Sequence, residues 1–395
     1  MDYTDITNDK QLAKFCDRAA GADFIGFDTE FVSEDTYQSD LCLVQIAVGD
    51  ELAVIDTKAI DDVSPFWELL ARGPHETVAH AAREEYLFCR RVTGEPPHKL
   101  LDLQVAAGLI GLEYPISYGN LVYKLAGKSV PKGETRTDWR RRPLSKRQIE
   151  YALNDVVHLR QLRDAVVKRL EELDRLPWLD EEMQSWQNAL EESVSRQRWK
   201  RVSGISGLSA RSMAIVRELW QWREAEAERR DQPPRRVLRD DLIVEMAKRQ
   251  TADPKRIKAV RGMHHRDLQR NVGALADCVQ RALDLDDADL PRNQRRDVPK
   301  QLTVLGQFLA TALSSVCHRN HVAPSLVGSV QDIRAFVAYE LNINREDGDD
   351  PPKLATGWRK DIVGNLIDDL LTGKMAIRID DPLSEHPLTL ERVEK

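Results

Sequence analysis

The run Phe24-Ile25-Gly26-Phe27-Asp28-Thr29-Glu30-Phe31 sets the terms for the rest of the chain, because it is written as a buried strand yet carries two carboxylates. Phe24, Ile25, Phe27 and Phe31 have the aromatic or β-branched character of a strand packed in a core. Side chains on a strand alternate faces, so Asp28 and Glu30 project to the same side. Two like charges at the end of such a strand are costly unless a cation or a shared proton compensates them. A hard divalent cation such as Mg²⁺ would do so, since it takes oxygen ligands and draws few of them from protein. Acids that close a strand are also common as solvated turn residues. The choice between these readings falls to the rest of the sequence.

Downstream, Leu41 to Val48 and Glu51 to Asp56 read as strands joined by the turn pair Gly49-Asp50, which predicts an antiparallel meander with the first strand. A small helix precedes it at Asp9 to Arg18. A helix over Val63 to Ala71 leads to a fourth strand at Glu76 to His80, and helical spacing then dominates through Glu84–Val92, Leu101–Ile110 and Ser117–Leu125. Strands followed by helices with a crossover predict an α/β domain, a mixed sheet flanked by helices. After a polar loop from Gly127 to Pro143, Ser145 and Gln148 form a capping box. The helix that it opens is predicted to run to about Leu173. Tyr151 and Asp155, four apart, share one of its faces. The Pro177-Trp178 region and Arg196 to Arg201 read as a connector around a helix at Glu181–Glu192.

From Leu208 onward the pattern is almost wholly helical: Ala210–Arg230, Arg239–Arg249, Asp253–Val260 and His264–Leu285, then Pro299–Asn320, Val330–Leu341 and Gly357–Thr372. The polar run Asp286 to Asp297 separates two helical units, and residues from Asp380 to Lys395 read as a loosely ordered tail. The chain of 395 residues therefore divides into 1–195, 205–288, 297–378 and a tail at 379–395.

No secretory signal opens the sequence, no stretch approaches a membrane span, and five scattered cysteines lack CxxC spacing, which together point to a cytoplasmic protein without zinc or disulfides. The net charge of −7 argues against coating nucleic acid over the whole surface. Basic residues are nevertheless clustered, at Arg136 to Arg147 around Trp139 and at Arg196 to Arg201. An aromatic among arginines can stack on a base.

Five separated segments agree in order with one known family. They are Phe27-Asp28-Thr29-Glu30-Phe31, His80-Ala81-Ala82-Arg83-Glu84-Glu85, Leu101-Asp102, Arg136-Thr137-Asp138-Trp139 with Arg142-Pro143-Leu144, and Tyr151 with Asp155. In these residues the chain resembles ribonuclease D, within the DEDD exonuclease superfamily and its subgroup with tyrosine in the third motif. The resemblance implies a ribonuclease H-like fold over about residues 1–190, followed by two all-α HRDC-like domains, the first over Leu208–Leu285 and the second over 299–375.

That resemblance also assigns roles. Asp28 would bridge two divalent metal ions (Mg²⁺ or Mn²⁺), Glu30 and Asp155 would hold the first, and Tyr151 would orient the attacking water. The implied activity is metal-dependent 3′–5′ exoribonuclease action that releases nucleoside 5′-monophosphates, with transfer RNA 3′ processing as the task, RNA as the partner and a monomer as the working unit. A DNA 3′–5′ exonuclease and a catalytically impaired RNA-binding protein remain as alternatives. The second is prompted by Glu85, which stands where the family has aspartate. One extra methylene displaces that carboxylate, and octahedral Mg²⁺ tolerates misplacement poorly, so activity with a preference for Mn²⁺ is expected. Glu85 completes the candidate site, and Gln45, His80, Trp139 and Arg142 are candidate RNA contacts. Asp102 is expected to hydrogen-bond a nearby loop without holding metal.

Overall fold

The computed structural model describes residues 1–395 except 132–136, 195–197, 292–298, 300, 344–349, 385–386 and 394–395. Arg136 and Arg196 of the two basic clusters therefore lie outside the described residues. The N-terminal domain is built on strands β1 (Thr4–Ile6), β2 (Phe24–Val32), β3 (Asp40–Val48), β4 (Glu51–Ile55), β5 (Glu76–Ala79) and β6 (Leu100–Asp102). They form one mixed sheet in the order β1-β4-β3-β2-β5-β6. β2, β3 and β4 make the antiparallel meander, while β1 pairs parallel with β4, and β5 and β6 extend parallel from β2.

The register of β2 decides where the acids go. Asp28 lies opposite Gln45 and Glu30 opposite Leu43, so both carboxylates rise from one face, and a bulge between Glu30 and Phe31 ends the regular pairing. Phe27 points to the other face and meets Phe66 and Trp67 of α2 (Ser64–Arg72) edge-on, at centroid distances of 5.9 and 6.1 Å. α1 (Asp9–Ala19) packs on α2, as does α3 (Arg83–Thr93), which follows β5.

Three sequence expectations change in this domain. Leu100–Asp102 is a buried strand rather than the start of a helix, and Asp102 caps α4 (Leu103–Leu109), whose amide Gln104 N–H it accepts. α5 (Tyr118–Ala126) follows, capped by Ser117. The helix opened by Ser145 then divides into α6 (Lys146–Asn154) and α7 (Leu159–Glu172). Ala152 and Leu153 pack with Cys42, Leu43 and Val54, whereas Val156, Leu159 and Leu162 enter the main core. One straight helix cannot keep both apolar stripes on a twisted sheet, and the break falls at Asp155. Gly26 lets α7 come close, because a Cβ there would sit 3.1 Å from Leu159. The third change is at Pro177, which stands in the first turn of α8 (Leu176–Val194), where a missing N–H costs nothing.

The first helical unit comprises α9 (Ala210–Arg230), α10 (Pro234–Val237), α11 (Asp240–Arg249), α12 (Pro254–Lys258), α13 (Arg266–Arg270) and α14 (Val272–Leu283). It has a core of its own, running from Trp199 to Ala282. The second comprises α15 (Gln301–Arg319), α16 (Pro324–Val327), α17 (Val330–Glu340) and α18 (Gly357–Arg359), which passes through a π turn into α19 (Asn365–Leu371). Its buried residues belong to the same core as the α/β domain. Ala323 N–H donates to Gly108 O at 2.8 Å, and Trp178 stacks on Trp358 with centroids 5.3 Å apart.

The segment read as a loose tail contributes β8 (Leu388–Arg392), which pairs antiparallel with β7 (Met375–Ile379) just before it. Alternating Ile377 and Leu390 lean on the main core, and Arg378 pairs with Glu391 at 2.6 Å. All five cysteines are free thiols. Among the described residues no helix is long and apolar enough to cross a membrane.

Candidate active site

Carboxylate oxygens of Asp28, Glu30 and Asp155 lie within 4.8 Å of one another. β2 delivers the first two from its single face, and the C-terminal end of α6 delivers the third. The close approach of α7 at Gly26 brings these elements together, since Gly26 is two residues before Asp28 and Leu159 four after Asp155. Gln45, fully buried on the neighbouring strand, donates through Nε2 to Asp28 Oδ2 at 2.6 Å and fixes that carboxylate. One turn before Asp155, the Tyr151 hydroxyl stands beside the Asp155 carboxylate, whose charge helps keep it protonated.

Glu85 is placed differently. It lies buried in the first turn of α3, where its Oε1 accepts the Thr29 hydroxyl at 2.6 Å. Held by Thr29, Glu85 stays outside the 4.8 Å cluster of the other three, although its charge still reaches Asp28 and Glu30. The loop that launches α3 is gripped by Asp102, which accepts the Ala81 amide at 3.0 Å and the Ala82 amide at 2.9 Å in addition to its helix-capping bond at 2.8 Å. Ala81 has φ +58°, a left-handed conformation that costs a non-glycine residue about 1 kcal/mol or more.

The electrostatics follow from burial and crowding. Burial, and after it the charges of Glu85, Asp155 and Glu30, hold Asp28 well above the usual carboxylate range. Burial with Asp155 and Glu85 pushes Glu30 up to about 8. Burial raises Asp155 to about 7 against the opposing influence of the Tyr151 hydroxyl, and raises Glu85 to about 7 against the opposing bond from Thr29. An all-oxygen donor set whose members resist ionisation beside one another fits a hard divalent cation, which relieves that repulsion.

The four candidate RNA contacts do not behave alike. Gln45 is buried against Asp28. His80 is half-buried, with Nε2 3.0 Å from Ile116 O and its ring edge-on to Tyr118. Trp139 is 3% exposed and packs beside Tyr151 in the small core under α6, so its face is not free to stack on a base. Arg142 forks onto Asp56 with both contacts at 2.6 Å and donates to Cys42 O, so its guanidinium is spent inside the fold. The pattern of an aromatic among arginines is here a structural clamp on β3 and β4.

Sequence reading missed the cleft that opens beside Asp155 and Tyr151. It measures about 620 Å³ and is lined by Ser117, Tyr118, Asn120 and Tyr123 from the start of α5. Tyr123 is 65% exposed. No sequence signal marks the cleft, since a single tyrosine off the apolar stripe of a helix is ordinary.

A mixed sheet bearing this carboxylate cluster, followed by a helical unit with its own core, defines a 3′–5′ exonuclease joined to an HRDC domain. The 3′–5′ exonuclease family matches residues 3–171 and the HRDC domain family residues 212–279. Ribonuclease D of Granulibacter bethesdensis is 33% identical over 380 residues, covering 95% of this chain and 94% of that protein. Ribonuclease D of Sphingobium indicum is 33% identical over 384 residues, 95% of this chain and 96% of that protein. The crystal structure of Escherichia coli RNase D, described as an exoribonuclease involved in structured RNA processing, superposes with a TM-score of 0.82 at 26% identity, over 94% of this chain and 99% of that one. The chain belongs to the ribonuclease D family and is an enzyme of the 3′–5′ exoribonuclease type.

Proposed function

We propose that this protein is a divalent-metal-dependent exoribonuclease that shortens structured RNA from its 3′ end, with transfer RNA precursors as substrates and nucleoside 5′-monophosphates as products. The observation that carries the reading is the convergence of Asp28, Glu30 and Asp155 within 4.8 Å in surroundings that hold their carboxyls above the usual range. Two divalent ions at such a site supply charge relief to the entering and leaving oxygens of a phosphodiester. Asp28, Glu30 and Asp155 would hold the cations, and Gln45 keeps Asp28 oriented toward them. Burial, and after it the neighbouring carboxylates, keep the Tyr151 hydroxyl protonated, which suits it to position the attacking water beside Asp155. Glu85, next to Asp28, is the residue we assign to the second ion once it leaves Thr29. The working unit in this reading is a cytoplasmic monomer of three domains, at 1–195, 205–288 and 297–378.

A 3′-extended tRNA precursor is the direct test. Shortening in Mg²⁺ or Mn²⁺, loss of it in EDTA and loss in Asp28→Asn are expected; shortening that survives either treatment contradicts the proposal. In the same assay Glu85→Asp should raise activity in Mg²⁺ relative to Mn²⁺ by about tenfold, the scale on which small displacements around a metal act. An unchanged ratio removes Glu85 from the site.

A further inference from the structure

We propose that the seam between the exonuclease domain and the first helical unit is a track for the RNA backbone upstream of the 3′ end, with Arg198 and Arg201 as its phosphate contacts. This rests on the exoribonuclease reading above and extends it to a surface remote from the carboxylates.

Two adjoining recesses of about 450 Å³ each form the seam, and they share Arg198, Trp220, Glu224 and Pro234. One wall comes from the β2–β3 loop, through Tyr37 and Ser39, and from the outer side of α3, through Arg83 and Arg91. The other comes from the segment before α9 and from α9 itself. Both elements of the first wall also serve the candidate site. The loop begins as β2 ends at Val32, two residues past Glu30, and α3 carries Glu85 in the turn that presents Arg83. The proposed track takes the strand from the carboxylates along these two elements into the groove.

A hydrogen bond crosses the seam. Tyr37 N–H donates to Asp231 Oδ1 at the end of α9, at 3.0 Å, and Arg140 holds the same loop through Asp35 at 2.7 Å. Its charge is positive on balance. Of the acids that line it, Glu84, Glu224 and Asp240 each already have an arginine: Arg83 for the first, Arg223 for the second at 3.3 Å, and Arg223 with Arg235 for the third at 2.6 and 3.1 Å, while Asp231 and Glu228 stand beside Tyr37 at its edge. Arg90 pairs outward with Glu191 at 2.7 Å. Arg91 lies over the Phe88 ring and donates to Ser39 O. Among the described residues Arg198 and Arg201 form no ion pair, and both are exposed. In a chain of net charge −7, two unpaired arginines held in a groove beside half-buried Tyr37 mark a place for a polyanion with stackable bases. An acidic peptide would match the charge and leave the aromatic wall unused, so RNA is the occupant these features favour.

The test compares wild type with the double variant Arg198→Ala/Arg201→Ala, both changes lying on the surface. Two labelled single-stranded RNAs serve as probes: one of about four nucleotides, which spans the carboxylates alone, and one long enough to reach the seam. For the long RNA the variant should raise KM on the order of tenfold with kcat retained, and should flatten the salt dependence of binding by about 0.7 per lost phosphate contact. The short RNA should be cut with wild-type KM and kcat. Unchanged KM for the long RNA overturns the track and leaves the groove to a different partner, as does an equal loss on both RNAs. If wild type shortens neither RNA, the exoribonuclease reading fails instead, and anisotropy of the long RNA against salt still reports whether the groove binds it.

Discussion

Asp28 accepts from Gln45 on one side and faces Glu85, Asp155 and Glu30 on the other, so at this residue the fold's demands and the site's demands meet. In the unfolded chain such carboxyls titrate near about 4. In the folded, metal-free protein Glu30 is pushed to about 8 and Asp155 and Glu85 to about 7. Across that window the folded state binds more protons than the unfolded one, so stability is greatest at the acid end and falls as pH rises through the folded values. Thermal unfolding in EDTA should accordingly show Tm dropping between about pH 5 and about pH 8. Mg²⁺ or Mn²⁺ should restore Tm most at the alkaline end, where a bound cation takes the place of the protons. In Glu30→Gln the slope should shrink. An equally steep profile in that variant would show that the pH dependence arises elsewhere.

Among the elements, α3 depends on a residue that carries no chemistry itself. Asp102 ties down the amides of Ala81 and Ala82 and keeps the left-handed turn at Ala81 that aims Glu85 and Arg83. Asp102→Ala leaves three buried or part-buried amides, those of Ala81, Ala82 and Gln104, without that acceptor and should cost about 1–3 kcal/mol in urea unfolding, with a lower kcat. Asp102→Asn, which keeps one acceptor, should fall between; a variant with full kcat would disconnect the loop from the site. Element by element, legibility tracks range. The meander, the capping box at Ser145 and the shared face of Asp28 and Glu30 are readable because each rests on neighbours within a few residues. The break between α6 and α7 carries no proline or glycine, so it is invisible until the sheet is there to bend around. Trp139 and Arg142 misled for a related reason: their partners, Tyr151 and Asp56, sit on other elements. The hairpin at 375–392 needed both of its strands and a core to lean on.

At the scale of the molecule, two helical units that both read as amphipathic helices in sequence stand in different relations to the catalytic domain. The first keeps its own core, while the second shares that of the α/β domain, a distinction that periodicity does not carry because both have ordinary amphipathic helices. The seam of the second is pinned by Arg359. Buried, it pairs with Glu182 of α8 at 2.6 Å, donates to the Leu326 and Val327 carbonyls at 2.9 Å and lies over the Trp358 ring, which stacks on Trp178. Arg175 makes a second pin, donating to Leu109 O at 2.6 Å and to the Asn320 and His321 carbonyls. Calorimetry should therefore show the α/β domain and the C-terminal unit melting in one transition, with the HRDC domain free to melt in another. Glu182→Ala strands the Arg359 charge in the interior and should destabilise the shared transition by about 3–5 kcal/mol while leaving the other in place. Separate melting of the C-terminal unit, or a Glu182→Ala effect confined to the HRDC transition, would break the link between shared core and shared stability.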